Sequence, residues 1–279
     1  MHSAGGTVKA APTQHTIREG EPARDALYAA AAVPHNRRML HPDDRHPFPP
    51  TRHSAIADLG AAAPDARDRA RDLLAEAYWR PVYAHLRLRW RRDPDDAADL
   101  AQSFFLSALE KDFLAGYDPA RSRFRSFLRL CLDRHVQRAD QSAGRLKRGG
   151  GAEHVDLDAI EAGLPADAGD DPEALFARET LRALMAHGVA AVRARADAAD
   201  RPLDYRLFAR VELAPGGSPR PSYRELAEAE GVTEMTVTNR LAAARRVFRE
   251  AVLERLRALT GSDAEFREEA RELLGLELP

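Results

Sequence analysis

The sequence predicts an all-α protein, two helical domains joined by a flexible linker, the second carrying a helix-turn-helix. Three observations point there. Apolar residues recur at intervals of three and four along most of the chain from about residue 66. Helix-capping signatures stand before two of those stretches, Ser222-Tyr223-Arg224-Glu225 and Ser262-Asp263-Ala264-Glu265. No run of any length alternates apolar and polar residues at the period of two that a half-buried strand needs.

Residues 1–46 mix Gly, Pro, His and Arg without a sustained period and read as a disordered tail. His41 and His46 flank Asp43 and Asp44, but no spacing there matches a known ligand set, so no metal site is assigned. The first helical domain is expected over 47–151. Leu73, Leu74, Ala77 and Tyr78, then Val82, Leu86 and Trp90, form one helical stripe. Pro81 should kink or break it, since proline removes a backbone donor and its ring clashes with the preceding turn. A second helix starts after Pro94, with Leu100, Phe104 and Ala108 inward. After the turn signal Tyr117-Asp118-Pro119 a third begins near Arg123, with Phe124, Phe127, Leu128, Cys131 and Val136 inside. It runs toward Gly149-Gly150-Gly151, which a helix does not cross easily. Residues 152–171, rich in Asp, Ala and Gly, are the expected linker. The second domain, 172–260, opens with a long helix from Pro172 to about Ala199 and a shorter one over Leu203 to Val211.

Bulk properties narrow the function. The chain has 279 residues, and its 44% hydrophobic content is enough for real cores. A formal net charge of −2 excludes a general polyanion binder, so any nucleic-acid surface must be local and balanced by acid elsewhere. The single cysteine, Cys131, allows no disulfide within one chain, which suits a reducing cytosol. The apolar run Ala26 to Val33 is too short to span a bilayer and has charged residues before it, so the expectation is a soluble intracellular protein with no membrane partner.

Residues 222–248 carry the clearest motif. Ser222 and Glu225 make a capping box, Leu226 and Ala227 face inward, Gly231 stands where a left-handed residue ends a helix, and Val232 fills the corner. Thr233 caps a second helix with Val237, Leu241, Ala244 and Phe248 inside. Thr233, Thr236, Thr238, Asn239, Arg240, Arg245 and Arg246 are left for its outer surface, hydroxyl, amide and guanidinium groups that suit base edges and phosphates in a major groove. Between Thr236 and Leu259 six Arg stand against two Glu, the sign a DNA surface needs. The structural alternative is a helical hairpin with a solvated basic face.

A second basic stretch, Arg121 to Arg148, holds nine Lys and Arg against two Asp. Phe124 and Phe127 are interleaved; their rings either stack on unpaired bases or belong to the core.

These stretches together resemble the extracytoplasmic-function sigma factors of bacterial RNA polymerase. The resemblance is carried by Y-W-R-P-V-Y (78–83), D-A-A-D-L-A-Q-S-F-F (96–105), Y-D-P-A-R-S-R-F-R-S-F-L (117–128), K-R-G-G-G (147–151) and S-Y-R-E-L-A-E-A-E-G-V-T (222–233), in that order. It implies that 96–105 docks on the clamp of core RNA polymerase through Asp96, Asp99, Gln102 and the adjoining Ser103. It implies that 121–148 captures the melted upstream promoter element, with Arg123, Arg125, Arg129, Arg134 and Arg138 toward DNA and Lys147 and Arg148 in a basic loop. The helix 233–248 would read the more distant promoter element. Core polymerase and promoter DNA are the implied partners, and catalysis belongs to the polymerase: the chain has no catalytic residues and no cofactor of its own.

The chain departs from the family's pattern. Members often have an acid where it has Ala98, and another where it has Ser103. Phosphorylation of Ser103 would supply about −1.5 to −2 charge at that face; the alternative is a solvated helix serine. A serine/threonine kinase acting there and an anti-sigma factor are the further partners the resemblance admits. Thr238 and Ala243 replace commonly basic positions in the reading helix, so promoter preference does not transfer.

Residues 261–279 form an acidic segment; from Ser262 it has six acids against two Arg. It is either a tail that folds back on a basic surface and competes with DNA, or a helix packed on the second domain and solvated outside. The expectation is the packed helix. The main functional alternative is a conventional helix-turn-helix regulator that binds duplex DNA without polymerase. A nucleic-acid enzyme would need a convergent catalytic set, and none is visible.

Overall fold

The computed structural model describes residues 54–59, 64–111, 113–143, 164, 171–214 and 219–278. Within them the chain is all-helical. The tail 1–46, Lys147, Arg148 and nearly all of 152–171 lie outside the described residues. No helix among the described residues is long and apolar enough to cross a membrane.

A short helix α1, Ala55–Asp58, precedes α2, Pro64–Leu88. Helix α2 runs unbroken through Pro81, against the expectation of a break. An interior proline costs a helix about 3 kcal/mol. Around it Tyr78, Val82, Tyr83 and Leu86 are all buried, and a large apolar side chain removed from water returns about 1.5–3 kcal/mol. Tertiary burial therefore outweighs the local penalty. Helix α3 is Pro94–Lys111, a 3-10 turn covers Phe113–Gly116, and α4 is Phe124–Ala143.

Asp133 of α4 ties the first helices together. Its Oδ1 lies 2.8 Å from His85 Nε2 and accepts the Trp90 indole N–H at 2.8 Å, while Oδ2 accepts from Arg129 at 3.0 Å. Burial alone would push this carboxyl up; the hydrogen bonds from His85 and Trp90, with Arg129 beside it, outweigh burial and hold it below its usual value.

The central element is α5, Pro172–Ala198. Asp171 caps it by accepting the Glu173 amide, and Pro172 fits the first turn, where no amide partner is needed. Helix α5 packs along α2 on one side and α8 on the other. Gly188 permits the second contact: a Cβ there would lie 2.7 Å from Phe248 Cε2 and 2.7 Å from Val252 Cγ2. Helix α6 is Pro202–Glu212, α7 is Tyr223–Glu230 and α8 is Glu234–Ala258. The last helix, α9, Asp263–Glu269, continues into a π-helical turn, Ala270–Leu274, that ends on Gly275 in the left-handed region.

One hydrophobic cluster joins helices from both sides of the 152–171 segment. Its aromatic centre is shared: the Tyr78 ring lies 5.8 Å from Phe124 and 6.2 Å from Phe176, and Tyr117 packs edge-on to Phe124 at 5.1 Å. Phe124 is therefore a core residue, which settles its ring away from base stacking. A second, smaller cluster of Leu207, Val211, Leu226, Ala227, Val237 and Leu241 holds α6, α7 and the start of α8 together.

Candidate functional site

The polar face of α3 forms as its spacing requires. Asp96 and Asp99 are exposed, and Gln102 and Ser103 are half-buried beside them. Leu106, one turn on from Gln102 and Ser103, is 50% exposed. A large aliphatic side chain at the C-terminal end of this acid and amide stripe gives the face both apolar and polar contacts, as protein interfaces use. The position of Leu106 two residues from the inward Phe104 and Ala108 puts it on the outer side, a signal that sequence reasoning passed over by following the polar residues alone. Ala98 is half-buried against the core rather than out on this face. Ser103 is not a solvated serine. Its hydroxyl donates to the Leu100 carbonyl at 3.1 Å and lies 2.9 Å from His135 Nε2 on α4.

The basic residues of α4 divide into two groups. Arg134 and Arg138 are exposed, and no carboxylate among the described residues pairs with them. They line a cleft of about 400 Å³ between α3 and α4, with Ser103, Ser107, Phe127 and His135. Burial pushes the Cys131 thiol up in the same wall, against the pull of both arginines.

Arg123, Arg125 and Arg129, expected to point at DNA, instead meet acids from later in the chain. Arg129 Nε donates to Glu173 of α5 at 2.9 Å. Arg123 donates to Glu268 at 2.6 Å and pairs with Glu272. Arg125 is only 2% exposed, with Nη2 donating to Glu272 at 2.8 Å and Glu269 at 3.2 Å. The outward placement expected for Arg125 is thus corrected. The acids of the last helix cover this side of α4, and the carboxylates of Glu269 and Glu272 make the arginine's burial tolerable.

Glu265 extends this contact. Its carboxylate accepts the Phe124 amide at 2.6 Å and the Gly261 amide at 2.6 Å. Ser262 caps α9 as predicted, but the glutamate of that box is turned toward α4 instead of back to Ser262. The acidic segment is packed through its apolar side, as expected, with Asp263 and Glu272 exposed, and its acids Glu265 and Glu269 face the first turn of α4.

Earlier in the chain the capping box of Ser222 and Glu225 is complete. Gly231 has φ +65°, a conformation that glycine adopts without a Cβ clash, and Thr233 accepts the Thr236 amide at 3.1 Å. Helices α7 and α8 thus meet through a tight three-residue turn. Thr238, Asn239 and Arg246 are exposed on α8. Thr236 and Arg240 are half-buried, and Arg240 pairs with Asp204 at 2.8 Å. Arg245 is committed to structure: its Nη2 meets Glu212 at 2.5 Å and its Nη1 donates to the Tyr223 hydroxyl at 3.2 Å. Met235, in the first turn of α8, is 68% exposed and was not expected as a contact residue. Such a side chain can meet a thymine methyl beside the polar groups.

Among the described residues no group of three or more His, Cys, Asp and Glu is placed to hold a metal ion. Searches against protein-family models, curated proteins and solved structures find no match to the chain.

Proposed function

We propose that the chain is an alternative sigma factor, a cytoplasmic protein that binds core RNA polymerase and directs promoter-specific initiation without chemistry of its own. The observation that carries the proposal is the presence of two outward helix faces of different chemistry. On α3, Asp96, Asp99 and Gln102 lead along one face to the exposed Leu106, which suits docking on a basic and apolar protein surface. On α8, Thr238, Asn239 and Arg246 are exposed beside Met235, behind a capped helix and a left-handed glycine turn, which suits insertion into a major groove. Arg134 and Arg138, exposed and without a carboxylate partner among the described residues, add a cationic pair for a single strand.

The test is titration of labelled chain against core RNA polymerase. The wild-type chain is expected to form a one-to-one complex, and D99K/L106D to bind at least about tenfold more weakly, the loss of a central interface anchor and a charge. Absence of binding by the folded wild-type chain rejects the proposal.

One observation favours a second reading. With Arg123, Arg125 and Arg129 engaged by carboxylates, the α7–α8 unit is the larger exposed candidate surface for DNA. A conventional regulator acting on duplex DNA through that unit alone needs nothing more.

A further inference from the structure

We propose that the acidic helix over residues 263–274 masks a phosphate-binding pair, Arg123 and Arg125, and that nucleic-acid phosphate and the glutamates compete for these guanidinium groups. The proposal rests on the sigma-factor reading for the identity of the competing anion.

The contact has the chemistry of a stand-in. Arginine recognises phosphate through paired N–H donors on one face of a planar group, and carboxylates fit the same fork. Glu268 and Glu272 hold Arg123, Glu269 and Glu272 hold Arg125, and Glu265 accepts the Phe124 amide between them. Four acidic side chains from one short segment thus cover the first turn of α4. That helix start is also where backbone amides lack helical partners and favour an anion.

The closed contact is incompletely satisfied. Arg125 Nε and Nη1 are buried and have no hydrogen-bond partner among the described residues. The nearest acid to Nη1, Glu173, lies 3.4 Å away. Burial holds the Glu269 carboxyl above its ordinary value even with Arg125 beside it, so desolvation takes back much of what the pair returns. By contrast, Glu268 is drawn below its ordinary value by the Arg123 hydrogen bond. That outer pair is partly exposed, so a competing anion can reach it. The inner half, Arg125 with Glu269, is buried and leaves two guanidinium N–H groups unpartnered among the described residues.

The covering segment is slender. Helix α9 has seven residues before its π-helical turn. Its apolar side, Phe266, Ala270, Leu273 and Leu274, is buried, so the segment remains attached while its acidic edge is displaced.

The test uses the full chain, E268Q/E272Q, and the same variant with R123A. Affinity for a fluorescent single-stranded oligonucleotide is measured across a salt series, with circular dichroism and thermal unfolding to check the fold. E268Q/E272Q is expected to bind about tenfold tighter at low salt, with a log–log salt slope steeper by about one, since each freed cation adds roughly 0.7 on a single strand. Adding R123A is expected to remove most of the gain. Equal affinity and slope for the folded wild type and E268Q/E272Q overturn the mask. A gain that survives R123A also overturns it, since the freed charge then acts elsewhere.

Run-off transcription with core polymerase, performed on the same proteins, separates the two claims. Specific transcripts with no difference in oligonucleotide binding overturn the mask and leave the sigma-factor reading. An oligonucleotide difference with no transcript from any variant overturns the sigma-factor reading and leaves the mask.

Discussion

Glu265 caps a helix that begins 141 positions earlier: its Oε1 accepts the Phe124 amide at 2.6 Å, and its Oε2 accepts the Gly261 amide at 2.6 Å. One carboxylate thereby satisfies two amides and fixes the acidic segment to α4. Replacing it by alanine leaves both donors unpaired. E265A is expected to lose about 1–3 kcal/mol, the range for a lost cap and orphaned buried donors. Urea unfolding of the full chain checks this, and E265Q, which keeps a side-chain acceptor, should retain part of the loss. A midpoint unchanged in E265A would show the cap to be without weight.

Gly188 lies where α5 packs tightly against α8. A Cβ there meets Phe248 Cε2 and Val252 Cγ2, each at 2.7 Å, so both helices must shift to admit it. G188A gains up to about 1 kcal/mol of helix propensity and incurs overpacking of about 1–3 kcal/mol. The predicted net is destabilisation in thermal unfolding. A raised midpoint would mean that the helices part freely.

Asp133 makes the chain sensitive to acid in a defined direction. Its carboxyl is held below the ordinary value of about 3.9. A depressed folded-state value contributes stability that is complete above the unfolded value and is lost as pH falls through the folded one. Unfolding free energy should therefore drop more steeply for the wild type than for D133N as pH falls from about 4. Parallel acid limbs would remove Asp133 as the cause.

Ser103 lies between the two helices the proposal depends on. Its hydroxyl is 2.9 Å from His135 Nε2 and shares a cleft with Arg134 and Arg138. A phosphate added there meets these cations, so it would neutralise the free end of α4 as well as add charge to α3. S103E is expected to bind a single-stranded oligonucleotide several-fold more weakly than S103A, a difference of about 1 kcal/mol for one compensated charge. Equal binding by the two variants would place the serine outside any electrostatic role.

Much of the helical pattern was legible in the sequence. The starts of α3, α5, α7 and α8 follow from Pro94, Pro172, Ser222 and Thr233, and that of α4 from the turn at Asp118-Pro119, because caps and turn residues act within a few positions. Pro81 misled: its local penalty is real, but burial of Tyr78, Val82 and Leu86 decides the outcome. The fate of Arg123, Arg125 and Arg129 was illegible for another reason. Helical period places a residue on a face, but it does not say which distant element covers that face. Glu268, Glu269 and Glu272 come from about 145 positions away, and nothing local marks them as partners. Leu106 and Met235 were missed although their spacing was legible: each stands two residues from an inward position, Phe104 and Val237, and so on the outer side of its helix.

The most direct measurement is run-off transcription with purified core RNA polymerase over a pool of promoters from the protein's own genome. The sigma-factor account predicts specific transcripts that depend on the chain, reduced by D99K/L106D at the docking face and by N239A on the reading helix. No transcript from the folded chain, with duplex binding retained in the absence of polymerase, would contradict it and leave a conventional regulator.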